Sequence, residues 1–507
     1  MSQKTIKSII SKIENTEVYD IAIRTPLEKV STLSRRHGNN ILIKREDLQP
    51  VFSFKLRGAY TKIKHLVNTK KVTSVIAASA GNHAQGVALS AKKLKIKATI
   101  VMPTTTPKIK VDAVKMMGAR VILHGDAYDD AYDFAIKKSK SSKAYFIHPY
   151  DDIDVIAGQG TIAKEILEQV SNIDYIFVPV GGGGLLAGIA AYFRTKSPKT
   201  KIISVEPVDS DCFNKAFKSK KRVKLKSIGI FADGVAVKQI GNLTFSITKN
   251  IVDSTVLVST DEICAGIKDL YDETRTVAEP AGALSIAGIK KYIKTKKISK
   301  KNIVGIFCGA NMNFDRLRHV SERSDLGELN EMVLGVTIPE IPGSFKRFCS
   351  LIGKRSITEF NYRYSHEKQA HVFVGIKLSN GIREKNSVIK KLKNNDYKVL
   401  DLTDNEMAKL HIRYMVGGSS NSSSNEQVFR FSFPEKPGEL LNFLNSIGSK
   451  WNISLFHYRN HGADFGRVLI AFQADSKDKK QLMKHLNSLE YEFFEETYNK
   501  AYGLFLS

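Results

Sequence analysis

Four consecutive glycines, Gly181, Gly182, Gly183 and Gly184, stand in VPVGGGGLLAG (178–188), after an apolar run and before a helical pattern. Such a run is entropically costly unless something needs the bare backbone. Unpaired N–H groups at the mouth of a helix form a cradle for an anion, and a phosphate is the natural occupant. No Lys-Ser or Lys-Thr follows, so this is not a nucleoside-triphosphate loop. It does contain Gly182-x-Gly184-x-x-Ala187, a weak dinucleotide fingerprint, and Glu206 ends the next strand near the spacing of a ribose contact. A nicotinamide dehydrogenase therefore stays open, although dinucleotide fingerprints usually open their domain and this one lies in mid-chain.

Two further turns and one lysine join the loop. AASAGNHAQGVA (77–88) ends a strand and opens a helix. Gly81 lets a ligand approach, Asn82 and His83 add polarity, and an ordinary strand–helix turn is the alternative. IFCGANMNF (306–314) would bring Cys308 from a strand end into the same crevice, against the alternative of a small buried thiol. VFSFKLRGAY (51–60) sets Lys55 among Phe52, Phe54 and Leu56. A lysine that attacks or takes protons must lose its charge, and apolar neighbours promote that. Local spacing alone does not single it out among 78 Lys and Arg.

The elements that must position these groups are legible. VTSVIAAS, KATIVMP, ARVILHG, DYIFVPV, KIISVEP and KNIVGIFCG read as strands, several continuously apolar as in a sheet buried on both faces. Helical periodicity fills the gaps, as in GNHAQGVALSAKKLKI. The alternation predicts an α/β fold, an open and mostly parallel sheet with helices on both faces, whose crevice lies beyond the strand C-termini.

The alternation stops near SERSDLGELNEM (321–332), and a repeat begins. VLGVTIPEIPGSFKRF (333–348) matches VFRFSFPEKPGELLNF (428–443), and ITEFNYRY (357–364) matches ISLFHYRN (453–460). GGSSNSSSNE (417–426) reads as a flexible separator between two strand–turn–helix–strand modules.

Composition narrows the class. No run of 18 apolar residues predicts a membrane span, and the N-terminus lacks a signal peptide's apolar stretch, its Ile spacing fitting an amphipathic helix. Four cysteines without a C-x-x-C pair indicate neither zinc nor a redox motif, and read as free thiols of a reducing cytoplasm. The net charge of +27 is spread over the whole chain rather than gathered in a stripe, so nucleic acid is not expected as a partner.

Taken together, Lys55, AASAGNHAQG, the glycine loop and the polar strand end resemble the pyridoxal-phosphate β-family with the tryptophan-synthase-like fold. KREDLQPVFSFKLRGAY, IVMPTTTPKIKVDAV, VIAGQGT, FADGVAV, VAEPAGAL and the duplicated module resemble, more closely, the biosynthetic threonine dehydratases (threonine ammonia-lyases) over essentially the whole chain. The resemblance implies a fold type II catalytic domain over 1–325 and two α+β ACT-like regulatory modules over 326–416 and 427–507. It implies pyridoxal 5'-phosphate held by Lys55 as a Schiff base. Gly181 to Gly184 and Leu185 would hold the phosphate, Asn82 the phenolic oxygen, and Cys308 would face the pyridine nitrogen. Ser79, Ala80, Gly81, Asn82 and His83 would receive the substrate carboxylate, while Gly234, Glu279 and Gly309 shape the crevice. The reaction implied is β-elimination of L-threonine, with L-serine as secondary substrate, in a cytoplasmic homotetramer. Isoleucine would inhibit and valine oppose it, with Phe345, Tyr362, Leu440, Leu441, Leu444 and Tyr458 as candidate effector contacts, against the alternative that these form the module cores. Some relatives hold a divalent metal at positions matching Glu206, Ser210 and Cys212. A thiol suits a hard cation poorly, so no metal is expected. Other enzymes of the fold, such as serine dehydratases and racemases, and a non-enzymatic amino-acid-binding regulator are the remaining alternatives.

Overall fold

The computed structural model describes residues 3–339, 347–348, 351–353, 355, 357–364, 369–414, 425–434, 451–459, 465–475, 477–489 and 491–506. The chain divides into two compact units, Met1–Ser324 and Asp325–Ser507.

The first unit contributes strands β1 (Leu27–Lys29), β2 (Asn40–Arg45), β3 (Ser74–Ala78), β4 (Lys97–Met102), β5 (Arg120–Leu123), β6 (Tyr145–Phe146), β7 (Tyr175–Pro179), β8 (Lys201–Pro207), β9 (Ser254–Val258) and β10 (Asn302–Phe307). They form two sheets rather than the single one that alternation suggests. One runs β1-β2-β10-β7-β8-β9 and the other β5-β4-β3-β6. Apolar periodicity reports that a strand is buried, not which strand it pairs with, so the division was not legible. All pairs are parallel except the edge pair β1–β2. The near-continuous burial of β7, β8 and β10 is that of strands covered on both faces. β2 escaped the sequence reading because it ends in Lys44 and Arg45, charged residues that are nonetheless buried. The N-terminal helix Gln3–Asn15 buries Ile9 and Ile13, as its spacing predicts.

The parallel strands all end on one side. The turns after β3, β7 and β10 carry Ser79–Gly81, Val180–Gly183 and Cys308–Ala310, so the three glycine turns arise from strand C-termini of two different sheets.

The second unit holds two copies of one sheet. β11 (Glu331–Pro339), β12 (Ile357–Tyr364), β13 (Gln369–Lys377) and β14 (Lys398–Asp401) are ordered β12-β13-β11-β14. β15 (Glu426–Pro434), β16 (Asn452–Arg459), β17 (Phe465–Gln473) and β18 (Glu492–Glu495) repeat that order. Even the irregularity repeats, between Ile357 and Glu359 in one copy and Ile453 and Leu455 in the other. Glu426, placed in the separator by composition, opens β15, because polar residues alternate with apolar ones along that strand.

The copies share a core. Val333, Phe373, Leu402 and Met407 of the first cluster with Val428, Leu469, Tyr502 and Phe505 of the second. Phe505, from the last helix of the second copy (Lys500–Phe505), meets Phe373 of the first edge-on at 5.5 Å. The helix Glu406–Leu410 is the corresponding element of the first copy. Asn405 and Asn499 cap these two helices, and the Asn405 amide donates to Asn499 Oδ1 at 3.3 Å. Phe345, Leu440, Leu441 and Leu444 lie outside the described residues, as do the side chains of Tyr362 and Tyr458.

Candidate active site

Lys55 opens the helix Lys55–Lys70, directly after a loop stitched to the end of β10. Ser53 bridges Gly309, the Phe54 N–H donates to the Cys308 carbonyl at 3.3 Å, and the Ala310 N–H donates to the Phe52 carbonyl at 2.9 Å. Phe52 adopts φ +53° to make this turn. The Lys55 ammonium reaches the Pro149 carbonyl at 3.3 Å and lies 5.3 Å from the Phe54 ring. Burial pushes its pKa down to about 8, against the opposing pull of Cys308 and Glu279.

Two residues beyond Lys55, Arg57 is fully buried and forks between two carboxylates. Its Nε donates to Glu46 at 2.7 Å and its Nη1 to Glu165 at 2.6 Å. Lys44 adds a second cation to Glu165 at 2.7 Å. This neutral, buried set anchors the turn of helix that carries Lys55. Sequence reasoning missed it. The available signal was the place of Glu165 on the helical stripe that carries Ile162 and Ile166.

The helix Asn82–Lys93 starts beside Lys55 because Gly86 lets it close on the lysine's backbone; a Cβ there would stand 3.2 Å from the Lys55 carbonyl. The Asn82 amide donates to Glu279 Oε1 at 2.7 Å and accepts from Asn311 Nδ2 at 2.7 Å. The Gly81 N–H is taken by Ser79 Oγ at 3.2 Å. The N–H groups of Asn82, His83 and Ala84 belong to the first turn, where no intrahelical acceptor exists. The His83 imidazole is buried, donates from Nε2 to the Ile147 carbonyl at 2.9 Å, and is held neutral by burial, its pKa down to about 3. Its side chain is thus spent on the fold, and what His83 offers an anion is its backbone.

The tetraglycine loop opens the helix Gly184–Lys196. Gly183 sits at φ +92°, a conformation other residues adopt only under strain. The Gly182 carbonyl accepts from the Gly241 N–H at 3.2 Å and the Thr244 hydroxyl at 2.8 Å. With that carbonyl tied outward, the trans peptide aims the Gly183 N–H the opposite way. The N–H groups of Gly184, Leu185 and Leu186 complete the first turn. A Cβ on Gly182 would run into the ring of Tyr150, the residue next to the Pro149 that holds Lys55.

Cys308 is buried, and burial raises its thiol pKa well above the ordinary value, so it is a neutral S–H. That proton goes to the Ala281 carbonyl, 3.3 Å from the sulfur. Glu279 is buried as well, its pKa pushed up to about 7. Glu206, the ribose contact of the dinucleotide alternative and a position where some relatives hold a metal, commits both oxygens to the Phe213 and Asn214 N–H groups at 2.8 and 2.7 Å. Ser210 Oγ is turned toward the Val235 carbonyl and Cys212 Sγ toward the Gly181 carbonyl. Among the described residues no group of three or more His, Cys, Asp or Glu is placed to hold a metal ion.

An amine whose pKa is brought down to about 8, two helix mouths and a neutral amide donor form a set suited to an aldehyde that carries a phosphate and a phenolic oxygen. Ser53 Oγ, two residues before Lys55, is buried and has no hydrogen-bond partner among the described residues. The residues fit pyridoxal phosphate.

Comparison with known proteins agrees. Residues 18–309 match the family model for pyridoxal-phosphate dependent enzymes. Residues 322–412 and 417–506 each match the C-terminal regulatory domain of threonine dehydratase. The biosynthetic L-threonine dehydratase of Pasteurella multocida is 51% identical over 99% of this chain and 97% of its own length. That of Escherichia coli is 50% identical over 97% and 95%. The solved threonine deaminase isoform 2 of Solanum lycopersicum is 47% identical, with a TM-score of 0.63, over 64% of this chain and 90% of that one. A maize serine racemase is 30% identical, with a TM-score of 0.57, over 63% and 96%. The dinucleotide reading of Gly182-x-Gly184 is thereby set aside, and the chain belongs to the biosynthetic threonine dehydratase family of pyridoxal-phosphate-dependent enzymes.

Proposed function

We propose that this enzyme converts L-threonine to 2-oxobutanoate and ammonia by β-elimination, with L-serine as a slower substrate giving pyruvate. The observation that carries the reading is Lys55, an amine with a pKa near 8 at the head of a helix closed onto Asn82. Lys55 holds the cofactor, Gly181 to Gly184 and Leu185 cradle its phosphate, Asn82 donates to its phenolic oxygen, and Cys308 lies toward its ring nitrogen. To make that last contact as donor, the thiol would have to re-aim from Ala281. Pyridoxal phosphate, when bound, supplies an aldehyde for the substrate amine and a conjugated ring that takes up an electron pair.

The chain's own residues do the rest. Ser79 to His83 receive the substrate carboxylate on N–H groups of the helix mouth, which fixes the Cα–H direction. Once displaced by substrate, Lys55 is a neutral amine and removes the Cα proton. The stitched Phe52–Phe54 loop and the Arg57 ion pairs keep that amine in place through the exchange.

The division into a catalytic region (1–325) and two regulatory modules (326–416 and 427–507) is part of the same proposal. The biosynthetic names of the relatives and the two regulatory-domain matches support a place at the entry to isoleucine formation. Isoleucine is then the feedback inhibitor and valine the opposing effector, through differential binding to two states of a cytoplasmic, allosteric homotetramer.

Absorbance of the purified protein, followed on adding threonine while 2-oxobutanoate is assayed with and without isoleucine, tests the whole reading. A visible band, keto-acid formation and isoleucine inhibition are expected. A band with turnover of serine alone would move the substrate, and turnover indifferent to isoleucine and valine would remove the regulatory assignment.

A further inference from the structure

Asn82, Glu279 and Asn311 form a closed triangle. Asn82 Nδ2 donates to Glu279 Oε1 at 2.7 Å. Asn311 Nδ2 donates to Asn82 Oδ1 at 2.7 Å and, with its other proton, to the Val51 carbonyl at 2.8 Å. The Asn311 backbone N–H also favours the ionised form of Glu279 and lowers its pKa. A carboxamide has two orientations related by a flip, and its surroundings decide between them. Here the flipped form would set the Asn82 oxygen against a carboxylate and its NH₂ against another NH₂, two repulsive contacts in place of two hydrogen bonds. One Nδ2 proton goes to Glu279. The other has no partner among the described residues.

We propose that Glu279 and Asn311 are positioning residues that lock the Asn82 carboxamide in a single orientation, so that its second N–H is presented to the crevice as a fixed donor. The inference rests on the reading above, in which that N–H meets the cofactor's phenolic oxygen. It extends that reading to two residues that touch the cofactor only through Asn82. Gly309 is part of the device: a Cβ there would strike Glu279 Oε1 and lie 3.3 Å from Asn82 Nδ2. Cys308, Lys55, Asp233 and Lys110 also face Glu279. A direct effect of its charge on the site must therefore be separated from its effect on Asn82.

Non-additivity makes that separation. The visible absorption band of the full-length holoenzyme and the dissociation constant for pyridoxal phosphate are measured for Asn82→Ala, Asn311→Ala, Glu279→Ala, Glu279→Gln and the pair Asn82→Ala/Glu279→Ala. Asn82→Ala is expected to move the band and weaken cofactor binding about tenfold, as loss of a hydrogen bond to a charged group does. Asn311→Ala and Glu279→Ala should move both readouts in the same direction. Glu279→Gln, which keeps an acceptor, should move them less. The pair should do no more than Asn82→Ala alone. If Asn311→Ala and Glu279→Ala leave band and affinity at wild-type values while Asn82→Ala shifts them, the lock is wrong and the site reading stands. Additive effects in the pair would likewise sink it. No change on Asn82→Ala would overturn the site reading, and the lock with it.

Discussion

The N–H of Phe54 donates to the carbonyl of Cys308, 3.3 Å away, so the residue before Lys55 is pinned to the end of a central strand. The lysine therefore inherits the rigidity of the sheet rather than that of a loop. The Cys308 side chain, on the same anchor, faces inward with its proton on Ala281.

That thiol should be inert. Burial holds its pKa well above the ordinary value, so almost no thiolate exists near neutrality. Native holoenzyme treated with iodoacetamide at pH 8 should show no alkylated Cys308 by peptide mass spectrometry. Cys308→Ser should retain kcat/KM within about fivefold, the scale of one exchanged neutral hydrogen bond. Rapid labelling of Cys308 would contradict its placement.

Lys55 sets a pH limb for cofactor capture. Only the neutral amine attacks an aldehyde, and burial brings half-neutrality down to about pH 8. Rebinding of pyridoxal phosphate to the apoenzyme should quicken about tenfold per pH unit below 8 and level off above it. A lysine at its ordinary value of 10.5 would go on accelerating to pH 10. Stopped-flow absorbance separates the two profiles.

Gly182 has no room for a methyl group. Gly182→Ala drives a Cβ into the Tyr150 ring, and the repacking cost, about 1–3 kcal/mol, falls on the cradle. Cofactor affinity should drop at least about fivefold, while the far-UV spectrum of the apoenzyme stays that of the parent. Equilibrium dialysis reads the affinity; an unchanged dissociation constant would remove this loop from phosphate binding.

Arg57 stabilises as well as positions. Its guanidinium is wholly buried between Glu46 and Glu165. Arg57→Ala leaves buried carboxylates without their partner and should cost about 3–5 kcal/mol in urea unfolding. Arg57→Lys keeps the charge but loses the fork, and should fall between the two. A loss below about 1 kcal/mol for the alanine variant would mean that Lys44 alone balances the pair.

Much of the site was readable because its chemistry is written locally. Glycine runs at strand ends are short-range patterns, whereas Lys55 stood out from the other lysines only through the motifs that accompany it along the chain. Helix mouths follow from the glycine runs by geometry alone. What was not readable is long-range. Asn82 and Glu279 stand 197 residues apart, and Arg57 and Glu165 stand 108 apart. A carboxylate in a helix carries no mark of the cation it will meet. The fold shows the same split: the strands VTSVIAAS and DYIFVPV declared themselves, yet nothing in either says that they belong to different sheets. His83 misled in the opposite sense, since a polar side chain in a ligand loop can be consumed by a neighbouring carbonyl.

The contact between Asn405 and Asn499 reaches beyond catalysis. The two residues cap corresponding helices of the two copies, so corresponding elements of the copies meet there. Aromatic residues of the second copy complete a core that begins in the first. Two modules related in this way are an isologous homodimer written into one polypeptide. Covalent connection replaces an encounter that would depend on protein concentration with one at fixed effective concentration. It also gives each half its own genetic copy, so one can change its sequence without dragging its twin along.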